Sequence, residues 1–78
     1  MKLYTTDGQT KDVGAIQEME RLQSFVGGYF EFVGYDSGVV ICNEEARVKN
    51  LPYNESASMI AGFPLFGDVL FASQSEIQ

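Results

Sequence analysis

The chain has 78 residues, 45% hydrophobic and 13% aromatic, with one cysteine, no histidine and a formal net charge of −6. That length allows one domain, residues 1–78, with a modest core, because so short a chain buries only about 60% of the surface it exposes when unfolded. Cys42 alone excludes an internal disulfide, and the missing histidine excludes Cys/His zinc patterns and histidine-based catalytic triads. The acidic balance opposes non-specific attraction to nucleic-acid phosphates or anionic lipid.

Lys2-Leu3-Tyr4-Thr5-Thr6 is β-prone, and Asp7-Gly8 after it is a strong hairpin signal, so residues 9–13 are predicted to return as a second, weaker arm. The start of the chain has no apolar leader and no stretch reaches membrane-spanning length, so the expectation is a cytoplasmic protein with no membrane partner. Over residues 13–26, Ala15, Ile16, Met19, Leu22, Phe25 and Val26 recur at helical spacing, which predicts an amphipathic helix with Asp12 as N-cap. Gly27 ends it, being free to take the left-handed conformation.

Tyr29-Phe30-Glu31-Phe32-Val33 alternates as a strand, with Phe30 and Phe32 sharing the face expected under the helix. Gly34-Tyr35-Asp36-Ser37-Gly38 is rich in turn formers. Val39-Val40-Ile41-Cys42 is a continuous apolar run, which suits a central strand covered on both faces. Residues 43–54 are polar and irregular. Ser58-Met59-Ile60-Ala61 fits either a short helical turn or a strand, and Gly62-Phe63-Pro64 breaks the pattern. Residues 65–72 read as a last strand bent at Gly67-Asp68, and residues 73–78 as a loose tail. The fold class expected is α+β, a mostly antiparallel sheet of four or five strands with one amphipathic helix across one face. A chain with one helix has little means of covering the other face, so a homo-oligomer is expected, a second subunit lying there.

Several groups invite a chemical reading. Cys42 ends an apolar run and is expected to be a buried thiol rather than a nucleophile. Glu44 and Glu45, adjacent in sequence, would point to opposite faces of a strand and read as a solvated loop edge rather than metal ligands. Gly27-Gly28 follows a helix C-terminus, where the dipole repels anions, so a helix cap is preferred to a phosphate cradle. Asn54-Glu55-Ser56 matches a glycosylation sequon but carries no weight without a secretory signal. The most site-like group is Arg47 and Lys49 flanked by Asn43, Asn50, Tyr53 and Asn54: polar side chains on an irregular segment, with an arginine and a tyrosine able to stack on a base or grip a phosphate.

The chain resembles the domain-of-unknown-function family 3846, small proteins of phages and other bacterial mobile elements. The resemblance rests on Leu22-Gln23, Val26-Gly27-Gly28-Tyr29-Phe30-Glu31, Ile41-Cys42-Asn43-Glu44-Glu45 and residues 48–54. Ala46 stands where the family usually has glycine, and Glu55 where it often has a basic residue, which takes a cation out of the loop. No activity comes with the family; it implies a setting in which small accessory proteins act against host enzymes or defence systems.

Two functions of different class follow as expectations. The first is a non-enzymatic anti-defence protein that sequesters a small anionic or nucleotide immune signal without a cofactor, through Arg47, Lys49, Asn43, Asn50, Tyr53 and Asn54. The second is an acidic protein that binds and inhibits a host nuclease or defence enzyme, using carboxylates such as Glu18, Glu20 and Glu31 or an exposed sheet edge.

Overall fold

The structure is a computed structural model that describes residues 1–76. The Asp7-Gly8 signal produces a hairpin of β1 (Lys2–Tyr4) and β2 (Thr10–Asp12), with Leu3 opposite Lys11. Its turn is closed by the Thr5 N–H donating to the Gln9 carbonyl at 2.9 Å. A second hairpin follows from β3 (Phe30–Tyr35) and β4 (Gly38–Asn43). The last strand, β5 (Val69–Ala72), inserts between the two hairpins and pairs antiparallel with both. The result is a five-stranded sheet in the order β2-β1-β5-β4-β3, an α+β fold of the class expected. β5 is shorter than the predicted residues 65–72, because Gly67 at φ +79 bends the chain before the strand begins.

The first helix, α1 (Met19–Val26), is also shorter than the predicted residues 13–26. Asp12 stays in β2, and its carboxylate accepts from the Gly14 N–H at 3.0 Å instead of capping a helix. Gly14 takes φ +72, which turns the chain away from helical geometry. Ile16 is nonetheless 2% exposed: an extended segment lays it on the face where a helix would have put it. Glu18 occupies the N-cap without a side-chain capping bond. The C-terminus of α1 follows expectation. Gly27 is left-handed, and the Gly27 and Gly28 N–H groups donate to the Gln23 carbonyl at 2.8 and 3.0 Å.

Alternation along each strand divides the core in two. Leu3, Ile41 and Leu70 face α1 and pack with Met1, Ile16, Leu22 and Val26. Phe30 packs at the edge of this layer, whereas Phe32, on the same strand face, stays 55% exposed because α1 lies mainly over β4 and β5. The other face is not left for a second subunit. A second helix, α2 (Glu55–Ala61), covers it, and Val40, Cys42, Val69 and Phe71 pack there against Ala57 and Leu65. The ambiguous stretch at Ser58 is thus helical, and β4 is buried at every position, as its apolar run requires. Among the described residues no helix is long and apolar enough to cross a membrane.

The predicted tail is docked rather than loose as far as residue 76, while residues 77 and 78 lie outside the described residues. Gln74–Glu76 form a short 3-10 turn, and the Glu76 carboxylate accepts from the Met1 ammonium at 2.6 Å. That bond, helped by the Ser73 N–H, holds the Glu76 carboxyl below its ordinary value of 4.5. A carboxyl lowered by folding stabilises the fold fully above the unfolded pKa and ceases to do so as pH falls through the folded one. Glu76→Gln is therefore expected to show a smaller drop in melting temperature between neutral pH and pH of about 3 than the parent chain, read by circular dichroism. Equal drops would mean that the clasp contributes nothing to acid sensitivity.

Candidate functional site

The segment after β4 is ordered by its own backbone bonds. Ala46 donates to the Asn43 carbonyl, Lys49 to Glu45, Asn50 to Arg47 and Leu51 to Ala46, at 2.9 to 3.2 Å. The last two bonds are the pair that closes a helical turn through a left-handed residue, here Asn50 at φ +55. Asparagine tolerates that conformation better than other residues with a Cβ. Asn43, only 4% exposed, fastens this turn to the fold: its Nδ2 donates to the Val26 carbonyl at 3.1 Å and its Oδ1 accepts from Glu45 N–H at 2.8 Å.

Lys49 lies beside Gly28, where a Cβ would come within 3.4 Å of its Nζ and 3.3 Å of the Asn43 amide nitrogen. A cation just past the C-terminus of α1 is favoured by the helix dipole, and glycine leaves room for it. Lys49 also pairs with Glu45 at 3.7 Å, an exposed contact of little energetic weight. Val26-Gly27-Gly28 and Asn43 to Lys49, far apart in sequence, thus form one junction.

Asn54 forms a second junction. It is fully buried, its Oδ1 caps α2 by accepting from Ala57 N–H at 3.1 Å, and its Nδ2 donates to the Tyr4 and Gly67 carbonyls at 2.9 Å each. The Ser58 hydroxyl beside it donates to the Asn54 carbonyl at 2.6 Å and accepts from Leu65 N–H at 2.8 Å. Asp68 adds a third tie, accepting from Thr6 N–H at 3.0 Å, which accords with its reading as a turn residue. Asn54→Ala removes a cap, worth about 1 kcal/mol, and leaves two carbonyls without their donor. The expected loss is roughly 2–4 kcal/mol in urea unfolding, and a loss under about 1 kcal/mol would show the two carbonyls readily find other donors.

With Asn43 and Asn54 committed to the interior, the predicted site residues left at the surface are Arg47, Lys49, Asn50 and Tyr53. Arg47 places its guanidinium carbon 5.2 Å from the centre of the Phe66 ring, and Tyr53 meets the same ring edge-on at 5.5 Å. Among the described residues no carboxylate lies within ion-pair distance of Arg47. Arg47 and Phe66 border a cleft of about 300 Å³ whose other walls include Glu31, Cys42, Glu44 and Phe63. Phe63 and Phe66 are not singled out by sequence as site residues, and Glu31 is named there only as a surface carboxylate of the inhibitor reading. Their convergence needs the chain after α2 to fold back along residues 43–53, and the backbone bridge of Tyr53 to Phe66 does this. Lys49, Asn50 and Tyr53 do not line the cleft, and Tyr53 reaches it only through its contact with the Phe66 ring.

Cys42 lies at the cleft floor with its sulfur 4.0 Å from a Glu31 oxygen. Burial, and then the Glu31 charge, push the thiol up to about 11. The thiolate fraction at pH 8 is on the order of one in a thousand, against roughly a quarter for an ordinary thiol. Labelling by an aromatic disulfide reagent at pH 8 is expected to be on the order of 100-fold slower in the folded than in the urea-unfolded chain; equal rates would contradict burial of the thiol. Glu44 and Glu45 separate, Glu44 to the cleft and Glu45 to Lys49. Among the described residues no group of three or more Cys, Asp or Glu is placed to hold a metal ion.

These features define a small antiparallel sheet with a helix on each face and an arginine–aromatic cleft at one side. A family model described as a domain of unknown function (DUF3846) matches residues 1–77, and the chain belongs to that family. No curated protein and no solved structure matches the chain.

Proposed function

We propose that this is a non-catalytic, cytoplasmic accessory protein of a phage or mobile element that works as a homo-oligomer and sequesters a small nucleotide-like immune signal at the Arg47 cleft. The observation that carries this reading is the Arg47 guanidinium, free of any carboxylate among the described residues and stacked on Phe66 at the lip of the cleft. A guanidinium so placed offers forked donors to a phosphate, while Phe63 and Phe66, which line the cleft, offer ring surface to a base. Glu31 and Glu44 make the cleft a poor host for a bare polyanion. They suit a ligand with a donor-bearing end, as the exocyclic amines of nucleobases are. Tight holding without turnover requires only such a preformed polar pocket.

A second reading is supported by a different observation. Met19, Tyr29 and Phe32 are more than half exposed around the β3 edge, close in sequence to Glu18, Glu20 and Glu31, which suits an acidic inhibitor that docks on a host nuclease or defence enzyme. Thermal-shift screening against cyclic nucleotides and ADP-ribose derivatives separates the two. The first reading expects stabilisation by one of them and roughly a 10- to 100-fold weaker response in Arg47→Glu, the size of a lost charge-assisted bond. The absence of any shift, or a shift insensitive to Arg47→Glu, removes it. The second expects target binding that falls on combined Glu18→Gln, Glu20→Gln and Glu31→Gln substitution and survives Arg47→Glu.

A further inference from the structure

The sheet has two edges, and they differ. β2 is three residues long, exposed at each position and carries Lys11 and Asp12, features that blunt an edge against further pairing. β3 is six residues long, and its sequence Phe-Glu-Phe-Val-Gly-Tyr contains no lysine, arginine or proline. The direction of its unused backbone groups follows from the ladder. The Glu44 N–H donates to the Tyr29 carbonyl at 3.1 Å, so that pair is hydrogen-bonded, and by alternation so are Glu31 with Cys42, Val33 with Val40 and Tyr35 with Gly38. The N–H and C=O groups of Phe30, Phe32 and Gly34 therefore point away from β4, towards the open edge.

We propose that a second copy of this chain occupies that edge, β3 pairing antiparallel with β3 about a two-fold axis at Phe32. A two-fold axis normal to the sheet keeps side chains on their own faces, so only same-parity registers are allowed. Centring on Phe32 sets Phe32 opposite Phe32, Phe30 opposite Gly34, Glu31 opposite Val33 and Tyr29 opposite Tyr35 of the second copy. All the outward backbone groups of the three residues are then used. One step towards Glu31 sets the two Glu31 carboxylates against each other, a destabilising like-charge pair. One step towards Val33 pairs Phe30 with Asp36, which lies outside the strand. The Phe32 centre therefore satisfies the edge with no like charges opposed, although each chain carries −6.

Side-chain area agrees with a second copy of modest affinity. Met19, Tyr29 and Phe32 are 61%, 68% and 55% exposed. At roughly 200 Å² per side chain they offer about 370 Å² on each copy. The smaller specific interfaces need about 600 Å² per partner, and the strand backbone with the partly buried Val33 supplies part of the remainder. Phe32 also walls a cleft of about 470 Å³ with Ile16, Met19, Leu22 and Phe30, so its counterpart arrives beside an apolar surface. On the opposite face, Glu31 and Val33 line the Arg47 cleft, and pairing sets the second copy's Val33 and Glu31 next to them. The inference deepens the homo-oligomer part of the function proposed above and is independent of which ligand the cleft takes.

Sedimentation velocity over a concentration series tests it. The mass is expected to rise from 8.6 kDa towards twice that value, with a midpoint in the range of about 1–100 μM. Phe32→Pro removes an outward N–H that β4 does not use, and is expected to move that midpoint upward at least tenfold, roughly the effect of 1.4 kcal/mol. Should Phe32→Pro fail to fold, Phe32→Cys decides. At a hydrogen-bonded pair the two Cα atoms lie about 5.5 Å apart, within disulfide reach, so mild oxidation is expected to yield a covalent dimer from Phe32→Cys and not from Lys11→Cys. A parent chain that remains monomeric to about 1 mM overturns the proposal. So do a folded Phe32→Pro that dimerises unchanged, equal cross-linking at Lys11→Cys, or a monomer whose β3 amides become protected only on adding an extended peptide. Arg47→Glu is expected to remain dimeric, so a chain that dimerises as expected but shifts with no nucleotide, or shifts equally in Arg47→Glu, removes the cleft reading alone.

Discussion

The buried amide of Asn54 is the interaction on which the rest of the structure depends. A sheet with two apolar faces in so short a chain must find cover for both, and α1 covers only one. The second cover, α2, is seven residues long, far below the length at which a helix is stable by itself. Asn54 starts α2 with one atom and holds β1 and the Gly67 bend with another, so the helix forms only where it is needed. Ser58 and the Tyr53–Phe66 bridge complete the same knot. Cleft and core are therefore one construction: the backbone path that covers the second face is the path that brings Phe66 beneath Arg47.

Much of this was legible in particular residues. Asp7-Gly8, Gly27 and the apolar run of β4 each state a local requirement that only one geometry meets, and each is found where expected. The helix start was misread for a physical reason. Ala15 and Ile16 extend the helical spacing, but burial of Ile16 needs only that its side chain reach the core, and an extended approach does that as well as a helical one. Gly14 decided between them, a residue permissive enough to fit either reading. The pairing of Met1 with Glu76 leaves no local trace, because it joins residues 75 apart.

The site was legible in part, and unevenly. Asparagines on an irregular segment look like ligand-binding groups because they carry both donors and acceptors. The same property lets them satisfy backbone groups that no helix or strand has paired, and Asn43 and Asn54 are used this way. Charge and ring surface were better guides: Arg47 and Tyr53 remain accessible and meet at Phe66. The residues of the family resemblance gather at the junction of α1 with the following turn, so what they specify most directly is how helix, hairpin and loop are joined.

The place of β5 has a consequence for how the chain acquires this structure. Each hairpin can form from neighbouring residues, but the two belong to one sheet only when residues 69–72 enter between them. Leu70 must meet Leu3 on one side and Ile41 on the other, and the first of these pairings closes a loop of 67 residues. Closure of so long a loop is entropically costly before any contact rewards it, which favours a transition state that waits for β5 and slows folding relative to helical chains of the same size. During synthesis, β1 and β4 each leave unpaired the edge that β5 fills until that strand emerges. A small chain with mostly local turns thus folds as a distinctly non-local object, its assembly timed by its last strand.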